Sequence, residues 1–448
     1  MKKSLFLLFF VSSFIQAQYT VKGNIGNANK YASVFLYKIE GSKQLYLQNA
    51  QIQKQNNNGT FEFKLTSDTK PGVYRAIYDL RQRNSYVEFL FNKENIEVTF
   101  NPANKEATPV FNQSKENKLY NRFLKDISSA QYLTDSLQRV YLKNPSQATA
   151  VAYRKAVTKV DMTQKSYEKK AIGTLAYHFI KATKRYNSSV VIKDTDLYFK
   201  GALSHFFDNI DFNNQFLYNS SFLVDRITDY IFYMNYSENR AKQDDLHKKA
   251  IDVSMSKLTN VSFKTDVIEY LISTFATYKK TQMVDYIFTN YFNKLPKANQ
   301  SLEFKQQIME TMKTAIGNIA PDFSWEENGR MMSLSKLKDG QNYLLIFYST
   351  GCPHCLREVP EVFTFLKGKT KTKVVAFAME TSEIPWKNYK KTLPGWHHVL
   401  GLNKWENKIA RTYQINSTPT YFVLGKDKKI LGNPETIKEL KVILKGLN

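Results

Sequence analysis

Cysteine is almost missing from this sequence: the chain of 448 residues holds two, Cys352 and Cys355. A framework of structural disulfides is thereby excluded. A structural zinc site is disfavoured as well, because it needs four ligands, no second C-x-x-C or C-x-x-H is present, and the nearest other candidates are His354 inside the motif and the distant His397-His398 pair. A disulfide across two residues closes so small a loop that it removes little unfolded-chain entropy and is a poor staple. What remains is a redox pair that opens and closes during turnover. Beyond the N-terminal segment the sequence also lacks the apolar run of about eighteen residues that a membrane helix needs. Basic charge is plentiful, with a formal net charge of +24 and pI ≈ 9.6, but the lysines are scattered and form no stripe. That pattern fits a solvated basic surface and argues against nucleic acid as a partner; anionic lipid headgroups or acidic polysaccharide are the weak partners such a surface attracts. No internal repeat and no long disordered tract is visible.

The N-terminus, "MKKSLFLLFFVSSFIQAQYT", has two lysines, a short apolar run and the small residue Ala17. It reads as a cleavable secretory signal peptide over residues 1–18, too short to span a bilayer. With no cysteine nearby to carry a lipid, the expectation is an exported, periplasmic protein that is not a lipoprotein. In an exported chain the lack of other thiols also prevents wrong disulfides with the active pair.

Length and content, 42% hydrophobic and 14% aromatic residues, suggest about three domains. Residues 19–112 alternate with period two in "YTVKGNI", "YASVFLYKI", "TFEFKLTS", "GVYRAIYDL", "YVEFLF" and "NIEVTF", predicting an antiparallel β-sandwich with a hairpin turned by Asn58-Gly59. Residues 113–316 carry apolar and aromatic residues at i, i+3, i+4 and i+7, as in "KENKLYNRFLKDI" and "DVIEYLISTFATYKK", predicting an α-helical region. Its Tyr and Phe stripes read as core, and His178 and His205 as packed or hydrogen-bonded. Residues 317–448 alternate strands and helices and end with a hairpin at "GKDKK" and a final helix, predicting an α/β fold on a central mixed sheet.

The chemistry concentrates in "FYSTGCPHCLREVP". The apolar strand "YLLIFYS" leads to Gly351, and Cys352 falls at the start of the next helix, with Pro353 in the first turn where a missing N–H costs nothing. The unpaired amides and positive dipole end of the helix favour a thiolate, so the Cys352 pKa is expected below the free value of about 8.5. Cys355, one turn further in, is expected to be more buried and to act as the resolving thiol. His354 lies between the two sulfurs; as a cation or hydrogen-bond donor it would stabilise the thiolate and make the disulfide more oxidising. His397 and His398 are adjacent beside a predicted strand and point to opposite faces, so they are not expected to bind a metal together. No metal or cofactor is expected.

"FYSTGCPHC", followed by "INSTPTYFVLGKDKKI", resembles the thioredoxin superfamily, specifically the exported thiol-disulfide oxidoreductases of TlpA/ResA type, from "APDFS" to the C-terminus. The resemblance implies a thioredoxin fold, a cis peptide bond at Thr418-Pro419 facing the cysteines, and backbone groups there that bind an extended substrate by strand addition. It further implies exchange with protein thiols and disulfides and fits a membrane-bound electron-transfer partner. Glu358 matches the family glutamate three residues past the second cysteine; if buried, it would accept or donate the resolving proton near neutrality. Two positions depart from cytoplasmic thioredoxins: Gly351 replaces the usual Trp, and Ile346 replaces the buried Asp. The dipeptide Pro353-His354 is that of the strong oxidant DsbA, whereas the family type points to a reductant, which is the direction expected here. The peroxiredoxin pattern P-x-x-x-T-x-x-C is missing, since Ser349 stands at the Thr position. The first two regions resemble exported bacterial proteins in which a β domain of unknown function precedes a thioredoxin module. Their size, without catalytic signals, leaves a redox-gated binding protein as the alternative function.

Overall fold

The structure is a computed structural model that describes residues 19–82, 84–104 and 109–447; the expected signal peptide lies outside the described residues. Two compact units divide the chain, Met1–Val267 and Ile268–Asn448.

The first unit opens with β1 (Tyr19–Ile25), β2 (Ser33–Glu40), β3 (Lys43–Gln51), β4 (Gln53–Gln55), β5 (Asn58–Leu65), β6 (Gly72–Ile77), β7 (Tyr86–Phe91), β8 (Ile96–Phe100) and β9 (Val110–Gln113). They form two sheets, in the orders β4-β5-β1-β8-β9 and β3-β2-β6-β7. Phe61 and Phe63 of one sheet and Leu36, Tyr74 and Phe91 of the other close a shared core, which is why the period-two alternation is so clean in β5. The pairings are antiparallel as expected, with one correction: β1 runs parallel to β8. These strands are far apart in sequence, so no hairpin dictates their relative direction. A second correction concerns the predicted Asn58-Gly59 turn. Gln55 pairs with Asn58, so the turn falls at Asn56-Asn57, with Asn56 at φ 56. Gly59 lies inside β5, where a Cβ would come 2.4 Å from Ile52 Cγ2; packing, not positive φ, requires glycine there. Strand β3 leaves no alternation in the sequence because its side chains are nearly all exposed.

Helices follow: α1 (Lys115–Lys143), α2 (Gln147–Ala171), α3 (Ala176–Thr183), α4 (Thr195–Ser204), α5 (Gln215–Tyr218), α6 (Phe222–Thr228) and α7 (Arg240–Lys257). Ser114 and Ser146 cap α1 and α2 by accepting the N–H of Asn117 and Thr149. Phe123 of α1 and Tyr167 of α2 meet edge to face, so the aromatic stripes are core at this contact. The helical pattern after α6 continues as a π-helical turn, Asp229–Met234, whose Tyr230 carbonyl accepts from the Asn235 side chain. His178 bonds Asn214, and His205 bonds Asp208 and stacks on Tyr186.

Helix α8 (Val261–Thr277) leads into the second unit, which continues with α9 (Thr281–Asn290), α10 (Leu302–Met312), β10 (Ser324–Glu327), β11 (Arg330–Ser333), β12 (Asn342–Tyr348), α11 (Pro353–Leu366), β13 (Thr372–Glu380), α12 (Glu383–Tyr389), β14 (His397–Leu402), α13 (Lys408–Thr412), β15 (Thr420–Gly425), β16 (Ile430–Gly432) and α14 (Ile437–Leu447). Side chains of the α/β layer satisfy carbonyls at and just beyond the C-terminus of α10: Gln414 donates to Glu310 O at 3.0 Å and Asn433 to Thr314 O at 2.8 Å. The β10–β11 hairpin turns at Asn328-Gly329, both at positive φ. The main sheet has the order β14-β13-β12-β15-β16, with β12–β13 and β13–β14 parallel and β12–β15 and β15–β16 antiparallel. Tyr343, Leu345 and Phe347 of β12 pack into one face, and Leu344, Ile346 and Tyr348 into the other, so after Asn342 the strand is buried on both faces. Among the described residues no helix is long and apolar enough to cross a membrane.

Gly401 of β14 lies where a Cβ would approach a Phe377 ring carbon to 2.2 Å. Gly401→Ala is expected to cost about 1–3 kcal/mol by overpacking, read as a lower midpoint of urea unfolding. An unchanged midpoint would show that the Phe377 ring can turn aside.

Candidate functional site

Strand β12 ends at Tyr348, and the next three residues are held before the first cysteine is reached. Ser349 Oγ accepts the Gly351 N–H at 3.2 Å, and its carbonyl accepts the Cys352 N–H at 3.2 Å. The Thr350 N–H donates to Glu380 Oε1 at 2.6 Å. Glu380 sits at the end of β13, only 4% exposed, and sequence reasoning missed it. The available signal was a lone carboxylate closing the apolar strand "KVVAFAME".

Cys352 is itself the N-cap of α11, with φ −101 and ψ 115, and Pro353 opens the first turn. Its Sγ accepts the Cys355 N–H at 3.4 Å, the role usually played by a serine or aspartate oxygen. On its other side Sγ lies 3.3 Å from the Thr418 carbonyl, and the Thr418-Pro419 bond is cis. Burial alone would push the Cys352 thiol up, but the Cys355 N–H, the Thr418 side chain and the His354 N–H outweigh it and hold its pKa below the ordinary value. Cys355 is 1% exposed. Burial first, together with the neighbouring Cys352, pushes its thiol up to about 12. The two sulfurs thus sit on opposite sides of their common starting value.

Exposed His354 turns its ring to Arg357, whose guanidinium donates to Nδ1 at 2.9 Å. Arginine only donates, so Nδ1 is the acceptor in this contact; the favourable effect of His354 on the sulfur comes from its backbone. The Glu358 side chain is 20% exposed, so the burial expected of it is met in part. Its Oε2 accepts the Tyr421 hydroxyl at 3.1 Å, and Arg357 approaches Oε1 at 3.5 Å. Tyr421, on β15, was another residue missed from the sequence; burial and the Glu358 carboxylate raise its pKa. Ile346 is fully buried in the cluster that holds Cys355. A Cβ on exposed Gly351 would meet nothing closer than Ser349 Oγ at 3.8 Å. His397 places its ring nitrogens on Glu327 at 2.7 Å and Asp339 at 3.0 Å, while His398 bonds the Leu393 carbonyl. Among the described residues no group of three His, Cys, Asp or Glu side chains is arranged to hold a metal ion.

A dithiol at the N-terminus of a helix, fed by the central strand of a mixed sheet and faced by a cis-proline, defines a redox module of thioredoxin fold. A family model described as thioredoxin-like matches residues 340–430, and a domain of unknown function (DUF4369) matches residues 19–120. The thiol-disulfide oxidoreductase ResA of Bacillus cereus is 31% identical over 123 residues, 27% of this chain and 69% of the relative; its Bacillus anthracis counterpart is 30% identical over the same length and shares. Among solved structures, the C-terminal domain of a putative thiol-disulfide oxidoreductase from Bacteroides thetaiotaomicron is 22% identical, covering 30% of this chain and 96% of that one with a TM-score of 0.28. A thioredoxin-like protein from Bacteroides caccae is 16% identical, covering 59% and 98% with a TM-score of 0.32. The chain belongs to the TlpA/ResA-type thiol-disulfide oxidoreductases of the thioredoxin superfamily.

The split between the sulfurs has a direct readout in alkylation. With iodoacetamide, modification of Cys352 is expected to rise with pH through an inflection below that of an ordinary thiol. Cys355, pushed up to about 12, should stay unmodified across that range, because only thiolate reacts. Equal labelling of the two, followed by mass mapping at neutral pH, would contradict the assignment.

Proposed function

We propose that this protein reduces disulfides in exported proteins through the Cys352-Cys355 pair. The observation that carries this reading is the N-cap geometry, with Cys352 partly exposed, its Sγ hydrogen-bonded by an amide and its pKa lowered. The Cys352 thiolate attacks a substrate disulfide, forming a Cys352–substrate bond and releasing one substrate sulfur as a thiol after it takes up a proton. Cys352 then loses its charge, which removes one of the influences that raise the Cys355 pKa. Cys355 gives up its proton and attacks Cys352 Sγ; the second substrate sulfur leaves and is protonated, and the protein keeps the disulfide. Two electrons pass to the substrate, and a dithiol donor must return them. A membrane-bound electron-transfer partner fits that need.

Other residues have proposed roles in the same cycle. Pro353 shapes the first helical turn without needing an N–H. Glu358, on the helix face shared with Cys355 and bonded to Tyr421, exchanges the resolving proton. Thr418 and Pro419 bind an extended substrate segment beside Sγ by backbone pairing.

The reductive direction is favoured by His354. Its ring engages Arg357 and gives the sulfur no hydrogen bond of the kind that would make the pair more oxidising. Export to the periplasm rests on the N-terminal segment "MKKSLFLLFF".

Cys355→Ser is expected to accumulate mixed disulfides through Cys352 with cell-envelope proteins, resolved on non-reducing gels and released by dithiothreitol. If no adduct forms and insulin reduction is also absent, the exchange reading fails. Equilibrated against glutathione, the wild-type pair should settle near thioredoxin's potential, about −270 mV; a value near about −120 mV would instead make it an oxidant.

A further inference from the structure

Three buried hydrogen-bond donors on the Cys355 side of the sheet have no acceptor among the described residues: the Tyr348 hydroxyl at the end of β12, and Trp386 Nε1 and the Tyr389 hydroxyl on α12. The two tyrosine rings lie 5.7 Å apart, and all three side chains pack in or against the cluster that contains Cys355. A buried donor without a partner is costly, and such groups are rare in folded proteins. Their concentration beside a reactive sulfur has an economical explanation if the acceptor arises during the reaction.

The catalytic cycle creates such an acceptor. As a thiol, Cys355 accepts hydrogen bonds only weakly. At the moment of resolution it carries a full negative charge in an apolar setting, where preorganised donors count for most. Cys355 in turn is among the groups that raise the pKa of both tyrosines, after burial. The nearby buried carboxylate, Glu380, has one oxygen engaged by the Thr350 N–H. Hydroxyl hydrogens can swing about the C–O bond, whereas the Trp386 N–H is fixed in its ring plane.

We propose that Tyr348 and Tyr389 are positioning residues for the resolving step, turning their O–H dipoles toward the Cys355 sulfur as it ionises and stabilising the buried thiolate that attacks the Cys352–substrate disulfide. The inference rests on Cys355 being the resolving thiol. It adds no reactant: the Cys355–Cys352 bond forms as the Cys352–substrate bond breaks, and the Cys355 proton ends on the departing sulfur.

An equimolar amount of the aromatic disulfide dithionitrobenzoate, added to the reduced full-length protein, separates the steps by absorbance. The first thionitrobenzoate is released when Cys352 attacks and the second when Cys355 displaces it. In Tyr348→Phe and Tyr389→Phe the first release should keep its wild-type rate, and the second should slow by about three- to fourfold, the effect on attack of one pKa unit of lost thiolate stabilisation. Should Tyr348→Phe fail to fold, Tyr389→Phe, at the less buried ring, carries the test. A second release at the wild-type rate, with raised resistance to urea, overturns the proposal, because removing an idle buried hydroxyl only stabilises. A wild-type protein with no second release overturns the assignment of Cys355 itself, and this inference with it.

Discussion

The Cys355 N–H donates to the Cys352 sulfur, and the rest of the site is arranged around that contact. A helix start leaves its first amides without partners, and most helices satisfy one of them with a side-chain oxygen. Here the cap is sulfur, which makes the weakest capping atom the one most improved by a negative charge. The cap works only if the chain enters the helix at the right angle. That angle is set by β12, rigid because it is buried on both faces, and by the Glu380 carboxylate that fixes Thr350. On the far side the Thr418 carbonyl closes the approach. One reactive atom thus depends on three separate segments of the second unit.

The second constraint is the distance in exposure between two sulfurs only three residues apart. Cys352 caps the helix at the surface, and Cys355 turns inward with Val359 and Val362. The apolar cluster that stabilises the fold therefore also holds the resolving thiol protonated until its partner has reacted. Packing and reaction order have the same cause. A thiol buried this way must ionise in an apolar place, and polar groups kept nearby without partners, such as the Tyr348 hydroxyl, become intelligible in that light.

The first unit contributes none of these residues. Its sandwich and helices are held by their own cores, with Phe63 and Phe91 between the sheets and Phe123 against Tyr167 between the first two helices. Two lessons about legibility come from it. Strand β5 could be read directly because one face is buried and the other wet, whereas β3, exposed on both faces, left no hydrophobic trace. Gly59 shows the same limit at one residue: a glycine after asparagine signals a turn, but Ile52 packed against it makes it a strand residue.

In the catalytic unit the amino-acid order alone determined a great deal. The run "YLLIFYS" before C-x-x-C specifies a buried strand delivering a thiol to a helix start, because local periodicity and the proline at the first turn are short-range effects. The same order marked Thr418-Pro419 as the facing pair, through its resemblance to a known family. Tertiary structure decided what depends on neighbours distant in sequence. It brought Glu380 to Thr350, paired Glu358 with Tyr421 instead of burying it fully, and turned the His354 ring to Arg357. Charge balance and burial at a sulfur are sums over everything packed around it, and no local pattern contains that sum.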